Sequence, residues 1–300
     1  MAQKKNDVWI RVEYAIAYTL IGSLCILPLP VANALARTAT RLLDLLVPKL
    51  RRIALINLSF AFPALSRAQH QQIVNGVFRS IARLLVALAR FPRMDADNVH
   101  DWIEYEGLEN YQAAKEKGRG VLVGTAHFGN WELSAFTHAL MTEPMHVMVR
   151  PLDNLLIDNL VERRRTLSGN HLIDKRVAAR AVIKALRDNE AVGILIDQNT
   201  TPSEGVFVDF FGKLACASSA FVKFAHHSGA AVVPGFAIWD ETKQKYVLRF
   251  YPSIPLTGDV AADTQEIHSA FERIIREHPD QWLWIHRRWK TRPPGEKPLY

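Results

Sequence analysis

The chain contains 300 residues, and 37 Lys or Arg against 30 Asp or Glu give a formal net charge of +7 with histidine neutral. Charged residues make up 22% and hydrophobic residues 49%, a globular balance that excludes a disordered, collagen-like or coiled-coil chain. Two cysteines, Cys25 and Cys216, give no basis for a disulfide framework or a cysteine-rich zinc site. The basic surplus leaves nucleic acid, anionic lipid, a phosphorylated substrate and an acidic carrier protein open as partners.

An uncharged, apolar segment runs from Tyr14 to Ala36 and is long enough for a membrane span. Pro28 and Pro30 interrupt it, because proline removes a helix donor and disfavours helix in the residue before it, so a helix should end near Ile26. Basic residues flank both sides, so charge gives no orientation. The pattern favours a membrane anchor that lies on the bilayer or barely spans it; a buried core helix and a cleaved signal peptide are the alternatives.

Helical periodicity continues after this segment. Leucines and isoleucines recur between residues 42 and 58, and Phe62 with Pro63 ends that stretch. Ser66 and Gln69 resemble a capping box, and apolar residues then recur at helical spacing to about Phe91. Residues 1–36 are therefore assigned to the anchor and 37–95 to a helical part that precedes the catalytic core.

From residue 102 onward, short β-rich runs alternate with helical stretches, a pattern typical of a sheet covered by helices. The predicted strands cover 120–125, 145–149, 191–196, 231–236 and 246–251. The predicted helices cover 130–140, 155–167, 177–187, 218–227 and 264–277. Residues 96–300 are expected to form the catalytic core, so that the chain has an α/β fold with a mixed central sheet, preceded by an apolar helical anchor.

The run TAHFGNWE, from Thr125 to Glu132, follows directly on a predicted strand, where sites collect in α/β folds. In a continuous helix His127 and Glu132 would be about 140° apart and unable to touch, so His127 should precede the helix. Gly129 permits a turn, and Asn130 is a good N-cap. Glu132, in the first helical turn, is then able to reach back and orient His127 as the general base for an alcohol.

Other roles remain open for these residues at this point. Glu132 in a first turn also suits the helix dipole, and a histidine after a strand can be a satisfied polar side chain. The amides at the helix start, near Gly129 and Asn130, are candidates to hold an oxyanion or a phosphate. A metal is disfavoured because the spacing is not i, i+4 and a third ligand is not evident. Without a Gly-x-Ser-x-Gly elbow, direct transfer with no cofactor is favoured over a covalent enzyme intermediate.

The run from His127 to Glu132 resembles the His-x4-Asp/Glu signature of the bacterial lipid A biosynthesis acyltransferases, the late lauroyl and myristoyl transferases of the lysophospholipid acyltransferase superfamily. The resemblance covers nearly the whole chain. Further matching stretches are residues 57–63, 150–154, 165–169, 197–198, 205–212 and 281–290.

This resemblance implies transfer of a fatty acyl group from a thioester, on acyl carrier protein or on CoA, to a hydroxyl of a lipid A precursor. The implied location is the inner membrane, with the catalytic domain facing the cytoplasm. His127 is implied as the base and Glu132 as its partner. An acceptor other than lipid A, a non-catalytic lipid-binding role and a thioesterase activity are the alternatives.

Four more residues are implied at the substrate site. Arg150 and Arg165 match arginines near the family's site, where a guanidinium would grip a phosphate of the lipid or the carrier. Arg165 ends a run of three arginines, and the sequence does not identify which of them faces inward. Asp197 and Gln198 are implied at the wall of the site, and a simple turn is their alternative.

Aromatic and basic residues alternate from Trp282 to Lys290. A strand packed on the core is the preferred interpretation of this stretch, and contact with an anionic surface comes second. Nucleic acid is not expected as a partner, because no DNA- or RNA-binding motif accompanies the stretch.

Overall fold

A helical arm opens the chain in the computed structural model, which describes residues 7–300. Its four helices are α1 (Asp7–Ile26), α2 (Leu29–Leu46), α3 (Pro48–Ala61) and α4 (Arg67–Arg90). The prediction that the first helix ends near Ile26 is confirmed, and Pro28 and Pro30 lie at the start of α2. The capping box is also confirmed, because the Ser66 side chain accepts a hydrogen bond from Gln69 N while the Gln69 side chain accepts one from Ser66 N.

The first helix packs against the body of the protein and leaves much of its surface exposed. Its residues Ile21 and Leu24 are buried and pack with Ala82 and Val86 of α4. Among residues 7–300, two helices are long and apolar enough to cross a membrane, residues 7–26 and residues 67–93. In the apolar 18-residue stretch of each helix, 11% of the first and 67% of the second is buried. The second is a core helix, so α1 is the candidate membrane anchor.

The remainder of the chain alternates strands and helices, as expected. The strands are β1 (Ile103–Glu106), β2 (Val121–Thr125), β3 (His146–Val149), β4 (His171–Asp174), β5 (Ala191–Leu195), β6 (Gly205–Phe210), β7 (Lys213–Ser218), β8 (Ala231–Asp240) and β9 (Lys245–Phe250). The helices are α5 (Leu108–Lys115), α6 (Trp131–Met141), α7 (Leu155–Arg165), α8 (Ala178–Arg187), α9 (Ala220–Ser228) and α10 (Val260–Glu277). All five predicted strands and all five predicted helices of the core are found within a few residues of the expected bounds.

Seven strands form the central sheet in the order β1-β9-β8-β2-β5-β3-β4, and β6 pairs with β7 in a separate hairpin. The β8 and β9 pair is antiparallel and the other pairs of the central sheet are parallel, so the predicted mixed sheet is confirmed. Strands β1, β4, β6 and β7 and helix α5 are additions that the sequence patterns did not predict.

Both faces of the central sheet are buried. One face carries Leu122 and Val232 and packs against α8, α9 and α10, while the other carries Val123 and Val233 and packs against α5 and α6. The neighbouring strands β2, β8, β5 and β3 are parallel, so their carboxyl ends meet at one edge. The residues after β2 and β5 therefore lie side by side at this edge.

Candidate active site

A cavity of about 720 Å³ opens at this carboxyl edge of the sheet. Polar and charged residues surround its mouth, namely His127, Glu132, Arg150, Asp153, Arg165, Lys175, Arg176, Gln198 and Asn199. Apolar side chains make up most of the remaining lining, among them the buried Val123, Phe136, Met145 and Phe250. An apolar pocket with a few polar groups at one end is the usual form of a small-molecule site.

His127 lies at the mouth of the cavity, on the turn between β2 and α6. Its ring atom Nδ1 is 2.9 Å from Oδ1 of Asp197, the second residue after β5. Its backbone N–H also donates to Oδ2 of Asp197 over 3.0 Å. The two contacts fix the ring and the loop together, because both atoms of the carboxylate bind the same residue.

Asp197 is 3% exposed and accepts a third hydrogen bond, 2.8 Å long, from Nε1 of Trp282. Burial works to raise its pKa, but the charge of His127 and the hydrogen bonds from His127 and Trp282 outweigh burial and lower the pKa to about 2. The carboxylate is therefore ionised at neutral pH and only accepts hydrogen bonds. This contact with the ring favours a proton on Nδ1 of His127, and in the neutral ring that tautomer has its lone pair on Nε2, where a base needs it. The amide nitrogen of Gln198 lies 3.2 Å from this Nε2.

Glu132 binds Arg165 instead of His127. The guanidinium donates from Nε to one carboxylate oxygen over 2.8 Å and from Nη2 to the other over 2.6 Å. Burial works to lower the pKa of Arg165, but the hydrogen bonds and charge of Glu132 outweigh it and raise the pKa. Both side chains line the cavity, so the pair forms a rigid, fork-shaped part of its wall.

The expected contact between Glu132 and His127 therefore needs correction. Within residues 7–300 both carboxylate oxygens of Glu132 are used by Arg165, and the carboxylate that orients the ring belongs to Asp197. The structure also identifies Arg165 as the inward-facing arginine of its run. Arg163 is exposed, and Arg164 donates to the backbone of its own helix.

The predicted site residues fall into two groups. His127, Glu132, Arg150, Arg165 and Gln198 line the cavity. Gly129, Asn130 and Asp197 lie behind that wall, contrary to the expectation that they face substrate.

Gly129 and Asn130 shape the turn that carries His127. Gly129 has a φ of 58°, and a Cβ added there would lie 1.9 Å from the carbonyl oxygen of Ala237, so only glycine fits. Asn130 is fully buried and caps α6 by accepting a hydrogen bond from Leu133 N. The backbone N–H groups of both residues donate to carbonyl groups of the protein, at Gln281 and Ala237. These amides are thus occupied here, and the proposed contact with substrate is not supported.

Arg150 lies at the outer rim of the cavity and is 3.2 Å from Asp153. Its side chain is 76% exposed, so the ion pair is weak and the guanidinium is available to a ligand. Beside it, the Asn154 side chain donates to the carbonyl oxygen of Ile10 in α1 over 2.9 Å. The candidate membrane anchor therefore packs directly against the rim of the cavity.

The segment after residue 281 supports the site from behind. Its preferred interpretation as core packing is confirmed, since Trp282, Trp284, Arg288 and Trp289 are almost fully buried, but its backbone is irregular and makes one bridge, between Trp282 and Phe128. Its backbone is held by Asn57 of α3, whose side chain donates to two of its carbonyl groups. The sequence patterns placed Trp282 in this stretch but did not predict its hydrogen bond to Asp197, because the two residues are 85 positions apart.

Comparisons with known protein sequences find similarity over most of the chain. Residues 3–291 match the family model described as bacterial lipid A biosynthesis acyltransferase. The chain is 32% identical to the lipid A biosynthesis palmitoleoyltransferase of Escherichia coli (strain K12), over 91% of this chain and 90% of that protein. It is 29% identical to the lipid A biosynthesis lauroyltransferase of the same strain, over 99% of this chain and 98% of that protein. It is 26% identical to the lipid A biosynthesis myristoyltransferase of that strain, over 82% of this chain and 77% of that protein.

Proposed function

Because this chain belongs to the bacterial lipid A biosynthesis acyltransferase family and is an acyltransferase, we propose that it moves a fatty acyl group from a thioester to a hydroxyl of a lipid A precursor. The observation that carries the proposal is the His127–Asp197 pair at the mouth of a deep apolar cavity. The pair supplies a base for an alcohol, and the cavity supplies a binding site for a hydrocarbon chain.

The proposed chemistry is a direct transfer. Nε2 of His127 takes the proton of the acceptor hydroxyl while the hydroxyl oxygen attacks the carbonyl carbon of the thioester. The C–O bond forms and the C–S bond breaks, and the protonated ring then returns the proton to the leaving thiolate. Asp197 stabilises the imidazolium during this exchange, as a buried carboxylate does for a catalytic histidine.

The arginines account for recognition of charged groups in this proposal. Arg165 donates to Glu132 from Nε and Nη2, so its Nη1 is left to donate to another acceptor. Arg150 at the rim is exposed and only weakly paired. The two guanidinium groups at different depths suit phosphate groups of the lipid acceptor or of the donor, which is acyl carrier protein or CoA.

The proposed location is the inner membrane, with the cavity on the cytoplasmic side. Support comes from α1, which presents Trp9 and Ile16 to solvent at 64% and 65% exposure. It also comes from Leu152 and Leu155, which are exposed beside the rim that α1 contacts. A bilayer that covers these apolar side chains would bring a membrane lipid to the mouth of the cavity.

The test is mass spectrometry of lipids after the protein, in detergent or membranes, is incubated with a lipid A precursor and acyl thioesters of carrier protein or of CoA. We expect the precursor to gain the mass of one acyl chain. His127→Ala should lower the rate by about 10²–10⁴-fold, the usual contribution of a general base. His227→Ala is the matched control, because His227 is exposed on α9 and does not line the cavity. An equal rate for His127→Ala and the parent protein would refute the proposed mechanism.

A further inference from the structure

The inner part of the cavity lies between α6 and the face of the sheet that carries Val123. Gly193 of β5 pairs in register with Val123 of β2 and with Val147 of β3, and all three line the cavity. Gly193 is two residues before the end of β5, which places it roughly 7 Å below the carboxyl edge at a rise of about 3.3 Å per residue. On β5 the floor of the inner part is therefore bare glycine backbone, with Val123 and Val147 on either side of it.

Met145 closes this part of the cavity from the side of β3. It is 4% exposed and lines the cavity, so it is hidden from solvent but faces the interior space. A Cβ added at Gly193 would lie 3.2 Å from Cε and 3.8 Å from Sδ of Met145. The end of the Met145 side chain thus lies over Gly193. A side chain in place of the Gly193 hydrogen would push the methionine away from the sheet.

Asn170 fixes the backbone of Met145 relative to α6. Its side chain accepts a hydrogen bond from Met145 N and donates one to the carbonyl oxygen of Ala135, each 2.9 Å long. Asn170 is itself buried, so the two bonds are shielded from water. Only the flexible end of the Met145 side chain is free to adjust, and the wall around it is rigid.

We propose that Met145, lying over Gly193, limits the length of the acyl chain that this enzyme transfers. The inference rests on the proposed function. The thioester carbonyl must lie beside Nε2 of His127, and the apolar wall continues inward from there to residues that solvent does not reach. A chain that enters this closed space meets Met145 at a fixed depth.

The experiment uses a mixture of saturated acyl thioesters of increasing length and measures which chain is transferred, by mass spectrometry. Gly193→Ala should push the Met145 methyl into the cavity and lower transfer of the longest accepted chain by about tenfold or more relative to shorter ones, since one methylene in an apolar pocket counts for about 10–200-fold. Met145→Ala should shift the preference to longer chains. In Gly193→Ala/Met145→Ala the new methyl meets no methionine, so the profile should follow Met145→Ala.

Val192→Ala is the control variant. Val192 is the neighbouring residue of β5, is fully buried on the other face of the sheet and does not line the cavity. It should lower stability and leave the chain-length profile unchanged. A uniform change at every chain length in Gly193→Ala and Met145→Ala would overturn the inference.

A second measurement separates this inference from the proposed function. Free saturated fatty acids of increasing length should raise the unfolding temperature of the parent protein up to a limiting length, which Gly193→Ala shortens and Met145→Ala extends. These shifts without any transfer by the parent protein would refute the proposed reaction and support the chain-length limit. If the parent protein transfers acyl chains but the variants change neither the chain lengths transferred nor the chain lengths that raise the unfolding temperature, the chain-length limit would be refuted and the proposed reaction supported.

Discussion

The carboxylates of Asp197 and Glu132 have different partners, and this separation suggests different tasks. Asp197 is buried behind the ring and binds His127 and Trp282, whereas Glu132 faces the cavity and binds Arg165. The low pKa of Asp197 stabilises the fold above its unfolded pKa of about 4, and this contribution is lost as the pH falls from there through about 2. The ring therefore keeps its orienting charge throughout the physiological range.

Asp197→Asn should leave the shape of the site intact and remove its charge. The amide cannot fix the proton on Nδ1 of His127 in the way that a carboxylate does, so kcat should fall by about 10²–10⁴-fold while KM changes little. Initial rates of acyl transfer across substrate concentration measure both.

Asp188→Asn serves as the control for that substitution, because Asp188 is exposed and its carboxylate pairs with Lys184 one helical turn away. An undiminished kcat in Asp197→Asn would show that the ring needs no buried carboxylate. The proposed role of Asp197 would then be untenable.

At the scale of elements, the turn between β2 and α6 decides where His127 lies. This turn follows from local signals, because Gly129 supplies the positive φ and Asn130 the cap, and both could be predicted from neighbouring residues alone. The partner of His127 could not be predicted in this way, since Asp197 is 70 residues further on and is brought close by strand pairing.

Gly129→Ala should destabilise the turn by several kcal/mol, because the methyl would collide with a backbone carbonyl and the residue would have an unfavourable φ. Gly118→Ala is the matched control: its φ is 68°, but nothing lies within 4 Å of an added Cβ, so it should cost only about 1 kcal/mol. Denaturant unfolding of the two variants measures the difference. Equal stability losses would mean that the carbonyl of Ala237 yields to the methyl.

The strands that the sequence patterns did not predict were missed for two physical reasons. Strands β1 and β4 have four residues each and lie at the edges of the sheet, where alternation is short and burial incomplete. The hairpin of β6 and β7 turns at Phe211 and Gly212, with φ of 58° and 71°. Such turns normally carry Asn or Asp before the glycine, so a buried phenylalanine gives no turn signal.

At the scale of the whole molecule, exposed apolar side chains gather on the helical arm. Trp9, Ile16 and Ile26 of α1 are more than half exposed, as are Leu45 and Leu46 at the end of α2. Deletion of the first helix would also remove Ile21 and Leu24 from the core that they share with α4, so substitution of exposed residues is the sharper test of membrane binding.

The triple change Trp9→Ser, Ile16→Ser and Ile26→Ser should weaken retention in the membrane fraction without unfolding the protein. Each buried large apolar side chain contributes about 1.5–3 kcal/mol, so partition should fall by about tenfold or more per residue. Vesicle flotation measures the partition, with circular dichroism as the check on folding. Leu167→Ser is the control, because Leu167 is exposed between α7 and β4 and does not belong to the helical arm. Unchanged flotation of the triple variant would exclude α1 as the anchor.

The hydrogen bond between Trp282 and Asp197 joins residues that the ribosome synthesises far apart in time. At about 5–20 residues per second, the 85 residues between the two take roughly 4 to 17 seconds to appear. Every strand of the central sheet is complete by Phe250, so the sheet is free to assemble before Trp282 emerges. Until then the carboxylate lacks its indole partner and the aromatic wall behind it. The strands of the central sheet are therefore all synthesised before Asp197 can receive the hydrogen bond of Trp282.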